Sequence, residues 1–248
     1  LEAVLLLGLL FFIGAALYSS VGHAGASAYL AAMALVGTAP AEMKPIALVL
    51  NICVAALALW RYGRAGFSSW TLLWPFLIGS IPLAFIGGSL DIPDRAYKIT
   101  LGIILLIGAA RLLLPGDIKP VLKLLPPNKP VSALIGAAIG LLAGLTGTGG
   151  GIFLSPILIF TSWASVRVAS GIAAGFILAN SLAGLAGQLM RSKNPLAALP
   201  QEIPIYILVV LVGGWIGTTL GTRKLASRTV LRALGLVLII AGGKLVLG

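Results

Sequence analysis

The chain has 248 residues, of which 59% are hydrophobic and 9% charged, with a mean hydropathy of +1.11. A soluble domain carries about 25% charged residues because its surface faces water, so a water-facing globule is excluded. The net charge of +11 comes from residues scattered between apolar segments, with no basic stripe interleaved with aromatics. That pattern excludes nucleic acid as the partner and assigns the basic excess to membrane orientation.

In chain order, apolar segments run over 3–20, 24–37, 43–62, 70–90 and 97–114. A connection rich in Pro and Lys follows at 115–130, containing Lys119, Lys123, Lys129 and the pair Pro126-Pro127. Five more apolar segments run over 131–146, 150–163, 168–190, 203–222 and 228–247. Most approach the length that crosses about 30 Å of hydrocarbon. The expected architecture is an all-α polytopic membrane protein of two homologous halves, 1–114 and 131–248, joined by a cytoplasmic linker at 115–130. Each half holds about three full spans plus a broken or re-entrant pair. The first segment lacks a basic leader and a cleavage site, so it is expected to belong to the mature fold. Trp60, Tyr62, Trp70 and Trp74 flank segment ends, where aromatic residues anchor spans at the membrane interface. The single Cys53 cannot form an intramolecular disulfide.

The two halves repeat each other. Gly22-His23-Ala24-Gly25-Ala26 aligns with Gly147-Thr148-Gly149-Gly150-Gly151. Asn51 aligns with Asn180 inside an apolar run, each followed by basic residues, Arg61 and Arg64 or Arg191 and Lys193. Gly88, Arg95, Gly102 and Arg111 match Gly221, Arg228, Gly235 and Lys244 at a constant offset. Internal repeats are frequent in transporters and place the binding site where the halves meet.

The basic residues test the topology. With five segments per half, one side receives Arg61, Arg64, Arg111, Lys119, Lys123, Lys129, Arg167, Arg223, Lys224, Arg228 and Arg232. The other receives Lys44, Arg95, Lys98, Arg191, Lys193 and Lys244, a division of 11 against 6. If the first two segments of each half form one span, giving parallel repeats, the division is 9 against 8. The positive-inside rule therefore favours inverted repeats, with the linker in the cytoplasm.

The strongest local signal is Gly144-Leu145-Thr146-Gly147-Thr148-Gly149-Gly150-Gly151, between two short apolar segments. Consecutive glycines disfavour helix, and a break at membrane depth is tolerated only where protein shields it or a wet cavity borders it. Ser19-Ser20-Val21-Gly22-His23-Ala24-Gly25-Ala26-Ser27 interrupts the first half in the same way. Each break exposes the first N–H groups of the following helix, whose partial positive charge suits an anion. The candidate substrate-binding residues are Ser20, Gly22, His23, Ala24, Gly25 and Ser27 in the first break, Thr146, Thr148, Gly149, Gly150 and Gly151 in the second, and Asn51 and Asn180. Close helix packing is the competing account of glycine, and it is preferred for Gly87, Gly88, Gly213 and Gly214.

Two readings of His23 stay open. It is the one histidine of the chain and, since imidazole titrates near about 6.5, a proton-coupling candidate; it also reads as a packed, hydrogen-bonded ring. Asn51 and Asn180 read either as interhelical hydrogen-bonding residues or as substrate contacts. Ser170, Ser181 and Gln188 are weaker candidates of the second half. Glu2, Glu42, Asp91, Asp94, Asp117 and Glu202 all fall at or beyond segment ends. Cation carriers commonly use carboxylates within the membrane, so an anion fits better. No metal cluster, cofactor site or nucleophile–base set is recognisable, and no enzymatic role is expected.

With these residues in view, the chain resembles the TauE/SafE sulfite exporter family, also called the 4-toluene sulfonate uptake permease family. The resemblance rests on the duplicated glycine motif, Gly147 to Gly151 followed by Ser155-Pro156-Ile157-Leu158, and on the polar-basic ends near Arg61 and Arg191. It covers essentially the whole chain. The first copy departs from it: His23, Ala24 and Ala26 interrupt the glycines, and Ser27-Ala28-Tyr29-Leu30 replaces the stretch containing proline. The resemblance implies a multi-pass carrier in a prokaryotic inner membrane, moving sulfite, an organosulfonate or a related small anion, with export the direction expected. An anion channel or a carrier of an unrelated small anion is the alternative. The lipid bilayer is the surrounding partner, and a homo-oligomer is compatible with the sequence.

Overall fold

The computed structural model describes residues 2–113, 128–191, 199–223 and 228–247. The expected linker lies outside them up to Pro127, as do Lys193 and Lys224. Among the described residues there are ten α-helices and no strands. The first half gives α1 (Glu2–Ser19), α2 (Ala26–Val36), α3 (Pro40–Arg64), α4 (Trp70–Ser89) and α5 (Asp94–Leu113). The second gives α6 (Lys129–Thr146), α7 (Gly151–Phe160), α8 (Val166–Arg191), α9 (Ile203–Arg223) and α10 (Arg228–Leu247). Helices α3, α4, α6, α8 and α9 are long and apolar enough to cross a membrane. The protein is a polytopic α-helical membrane protein.

The helix ends follow from local chemistry. Pro40 opens α3 in the first turn, where a missing N–H costs nothing. Gly37 and Gly147 close α2 and α6 in the left-handed conformation, each returning its N–H to the helix it ends. Helices α2 and α7 have only 11 and 10 residues, or about 15 Å at 1.5 Å per residue. Each covers about half the hydrocarbon thickness.

Packing between the halves relies on glycine. A Cβ at Gly213, Gly217 or Gly221 of α9 would strike the carbonyls of Phe12, Ala16 and Ser20, respectively. On α6, Gly136, Gly140 and Gly144 meet the carbonyls of Phe76, Ser80 and Ala84 in the same way. Helices α1 and α9, and α4 and α6, therefore lie in close contact running in the same direction. Gly87 and Gly88 belong to this packing, against Leu141 and Gly184. Such contacts replace the hydrophobic driving force, which is lost when lipid is the solvent.

Two further pairings, between equivalent helices of the halves, run in opposite directions. Leu59 of α3 lies near Gly175 of α8, while Leu48 lies near Gly184. Gly102 of α5 meets Gly242 of α10, while Gly108 meets Leu238. Exchanging the halves turns the α1–α9 packing into α6–α4 and the α3–α9 packing into α8–α4, and all four are present. Equivalent helices α3 and α8, and α5 and α10, thus cross antiparallel, with α3 and α8 the more deeply buried pair.

Tyr62 departs from the expectation of an interfacial anchor. It is 1% exposed, and its hydroxyl donates to the carbonyls of Ser19 (3.1 Å) and Ser20 (3.0 Å) at the end of α1. The Ser19 carbonyl also accepts from the Gly22 amide at 3.2 Å, so the phenol from α3 adds a second donor there and serves the Ser20 carbonyl where the helix ends. Trp60 and Trp70 are exposed, as an interfacial position requires.

Candidate functional site

Both glycine segments are real interruptions. After α1 the chain turns at Gly22 (φ 78°) and Gly25 (φ 107°); after α6 it turns at Gly147 (φ 82°), Gly149 (φ 72°) and Gly150 (φ 80°). Glycine enters this left-handed region freely, whereas a side chain is strained there. The segments then deliver the first residues of α2 and α7. In α2, Ala28 N and Tyr29 N both return to Gly25 O, leaving the amides of Ala26 and Ser27 without a backbone acceptor. In α7, Phe153 N and Leu154 N return to Gly150 O, leaving those of Gly151 and Ile152.

These two helix starts border one small cavity. Its walls are Tyr18, His23, Ala24, Gly25, Ala26, Ser27, Asn51, Thr148, Ile152 and Ile177. Its volume is about 10 Å³, close to the room one water needs. His23 joins the two breaks directly: Nε2 lies 2.9 Å from the Gly151 carbonyl and 3.0 Å from Ser155 Oγ. A carbonyl only accepts, so Nε2 carries a hydrogen and donates to Gly151, with Ser155 Oγ as a second acceptor of the same hydrogen. The ring also stands edge-on to Tyr18, with centroids 6.1 Å apart.

Polar atoms around the cavity are incompletely satisfied. Asn51 is fully buried at the middle of α3. Its Nδ2 donates a long 3.4 Å bond to the Gly147 carbonyl, while its Oδ1 has no partner. The buried Tyr18 hydroxyl has the Ser27 side chain as its polar neighbour but makes no close, well-aligned hydrogen bond. Ser181 Oγ is a third unsatisfied atom, on α8 beside Gly149. Orphaned buried polar groups are rare and costly; those of Tyr18 and Asn51 belong to the cavity wall, while others, at Ser19, Ser80, Asn180 and Gln188, lie outside it.

The structure divides the candidate residues. His23, Ala24, Gly25, Ser27, Asn51 and Thr148 line the cavity, and Gly151 meets it through its carbonyl's bond to His23. Gly149 lies between Asn51 and Ser181. Ser20 turns back to its own helix, with Oγ donating to the Leu17 carbonyl at 2.6 Å. Gly22 packs on Ser170 and Gly150 on Ile139 and Phe176, so both shape the turns rather than the cavity. Thr146 donates to the Leu142 carbonyl at 2.7 Å and stands 3.1 Å from Thr148 Oγ1. Asn180 is fully buried with neither side-chain atom bonded, outside the cavity wall.

Four residues were not singled out from sequence. Tyr18 stands one turn before the first break, a position that offered a signal. Ile152 and Ile177 are apolar wall residues and offered none. In the sequence Lys44 is one of the basic residues that set the topology. It is buried, its Nζ donates to the carbonyls of Gly87 (3.3 Å) and Gly88 (3.0 Å), and its backbone and stem lie against Gly147.

A broken pair of half-helices, repeated and joined at its centre, is a transporter's architecture. Comparison with known proteins agrees: the family model described as "Sulfite exporter TauE/SafE" matches residues 6–245. The chain belongs to the TauE/SafE family. A curated relative from Sinorhizobium fredii, "Probable membrane transporter protein y4hK", is 37% identical over 242 residues, 96% of each chain. "Probable membrane transporter protein YunE" of Bacillus subtilis is 24% identical over 214 residues, covering 77% of this chain and 74% of that protein. No solved structure matches. This TauE/SafE protein is therefore a multi-pass membrane transporter and not an enzyme; in a bacterium such a protein resides in the inner membrane.

Proposed function

We propose that this TauE/SafE protein carries a small sulfur-containing anion, sulfite or an organosulfonate, and exports it by alternating access between its two halves. The observation that supports this most directly is the meeting of the α2 and α7 starts at one cavity, with the amides of Ala26, Ser27, Gly151 and Ile152 lacking backbone acceptors. Helix starts carry about half a positive charge each. Two of them bordering one small cavity attract an anion and repel a cation. Ser27, Thr148 and Tyr18 add hydroxyl donors, and Ile152 and Ile177 wall the remainder.

The antiparallel crossings of α3 with α8 and of α5 with α10 support inverted repeats. Halves in parallel repeats would send equivalent helices in the same direction. The same arrangement divides the basic residues 11 against 6, with the 115–130 linker in the cytoplasm. The cavity, with room for about one water, is a closed form, and rocking of one half against the other opens it to either side in turn.

His23 is the proton-coupling candidate of this reading. Protonation would charge the ring that bonds the Gly151 carbonyl and so ties the two breaks together. Purified protein in proteoliposomes, assayed with sulfite and sulfoacetate with and without a proton gradient, tests the reading. Saturable flux without single-channel current is expected; no flux of, or competition by, any sulfur anion overturns it.

A further inference from the structure

Lys44 is the fifth residue of α3, and Ser170 the fifth of α8. These helices are equivalents in the repeat and cross antiparallel, so the two residues stand at opposite ends of the pair. Each covers one break: Lys44 lies against Gly147, and Ser170 against Gly22, its Oγ donating to the Val21 carbonyl at 2.9 Å. The scaffold is thus repeated, but the residue at the two mouths is not. One mouth has a buried ammonium, the other a hydroxyl.

Lys44 has backbone carbonyls as its hydrogen-bond partners. Its Nζ bonds those of Gly87 and Gly88 at the end of α4, while the charges that act on it from nearby, Arg191 and Asp91, are paired with each other. Carbonyls orient an ammonium without neutralising it, so the charge stays available to an arriving anion. The preceding residues Ala41 and Glu42 are exposed, and Asn51 at the cavity lies seven residues deeper, or about 10 Å along the helix. Lys44 therefore stands between solvent and the α7 start. At the other mouth Arg167 is exposed on the turn before Ser170 and is directed over the Phe67 ring, 5.4 Å from its centroid.

We propose that Lys44 is the anion-admitting residue of its mouth, exchanging the Gly87 and Gly88 carbonyls for the passing oxyanion, and that this charge gives the two mouths unequal affinity. The proposal rests on the carrier reading above. In the topology proposed there, the Lys44 mouth faces outside.

Sided sulfite flux in proteoliposomes of uniform orientation tests it, using wild type, Lys44→Gln and Lys44→Arg. Glutamine keeps an N–H donor for the α4 carbonyls and removes the charge, so a purely structural role survives in it; melting temperature and monodispersity check that it does. Wild type is expected to half-saturate at a several-fold lower concentration from the Lys44 side. Lys44→Gln raises that value by about tenfold or more, the size of a lost charged hydrogen bond, and leaves the opposite side unchanged. Lys44→Arg stays near wild type. Equal half-saturation on the two sides of wild type, or a Gln variant that shifts neither side or both alike, overturns the proposal while leaving the carrier reading intact. A wild-type protein that moves no sulfur anion removes the carrier reading and this proposal with it.

Discussion

His23 Nε2 and the Gly151 carbonyl, 2.9 Å apart, tie a residue of the first break to the first residue of α7, 128 positions along the chain. Glycine at the aligned place in the first copy would leave no such tie, and Thr148, its counterpart in the second break, bonds only locally to Thr146. Asn51 and Ser170 also bond across the halves, to the Gly147 and Val21 carbonyls, but the tie from one break to the other is made by His23, and its counterpart Thr148 does not return it.

That asymmetry sets the first prediction. His23→Gln keeps a donor for Gly151 but cannot take up a proton, so it retains sulfite exchange and loses acceleration by a pH gradient. His23→Ala loses the link as well and lowers stability by about 1 kcal/mol, the usual size of a hydrogen bond. Proteoliposome flux with and without an imposed gradient, beside thermal melts in detergent, separates the two. A Gln variant with full gradient-driven flux would end the coupling role.

The second prediction concerns Gly149. Its φ of 72° is left-handed, and an added Cβ would approach Ile177 at 2.8 Å and Asn51 Nδ2 at 3.0 Å. Gly149→Ala therefore strains the backbone by about 1–2 kcal/mol and pushes Asn51 away from the Gly147 carbonyl. Transport should fall at least tenfold. Gly8→Ala is the control, since nothing lies within 4 Å of its Cβ position; it should match wild type in flux and melting temperature.

Much of this was legible in the sequence because lipid leaves few options. Ten apolar segments became ten helices with ends moved by a few residues, and the paired breaks were visible because glycine runs interrupt helices wherever they occur. What stayed hidden depends on faces rather than positions. Tyr62 lies next to Arg61 near a helix end, and only the packing of α3 against α1 and α9 shows that its ring points inward to Ser19 and Ser20. Lys44 looked like any boundary lysine until the end of α4 was placed beside it. Ser20 and Gly150 belong to the motif yet turn from the cavity, while Ile152 and Ile177 carry no polar signal and wall it.

Tyr62 supplies a third prediction. Tyr62→Phe keeps the ring in its buried place and removes the donor from two carbonyls at the end of α1. The Ser19 carbonyl keeps the Gly22 amide, so a loss of about 1 kcal/mol is expected, the usual size of a hydrogen bond, seen as a lower melting temperature in detergent. Flux per folded molecule should change little, because Tyr62 lies outside the cavity wall. A variant as stable as wild type would show that other donors serve those carbonyls.

The last prediction tests the orientation of the halves. Asn128, before α6, and Gln201, before α9, are exposed, so a cysteine at either is accessible to reagent; the native Cys53 is partly buried in α3 and is replaced by Ser. With inverted repeats, Asn128 follows α5 on the cytoplasmic side and Gln201 follows α8 on the external side. A membrane-impermeant maleimide added to intact cells should label Gln201→Cys and spare Asn128→Cys until the membrane is opened. Eight-span parallel repeats place both on one side, so equal labelling of the two in intact cells would refute the inverted arrangement. It would also conflict with the antiparallel crossing of α3 and α8, since equivalent helices of parallel repeats run the same way.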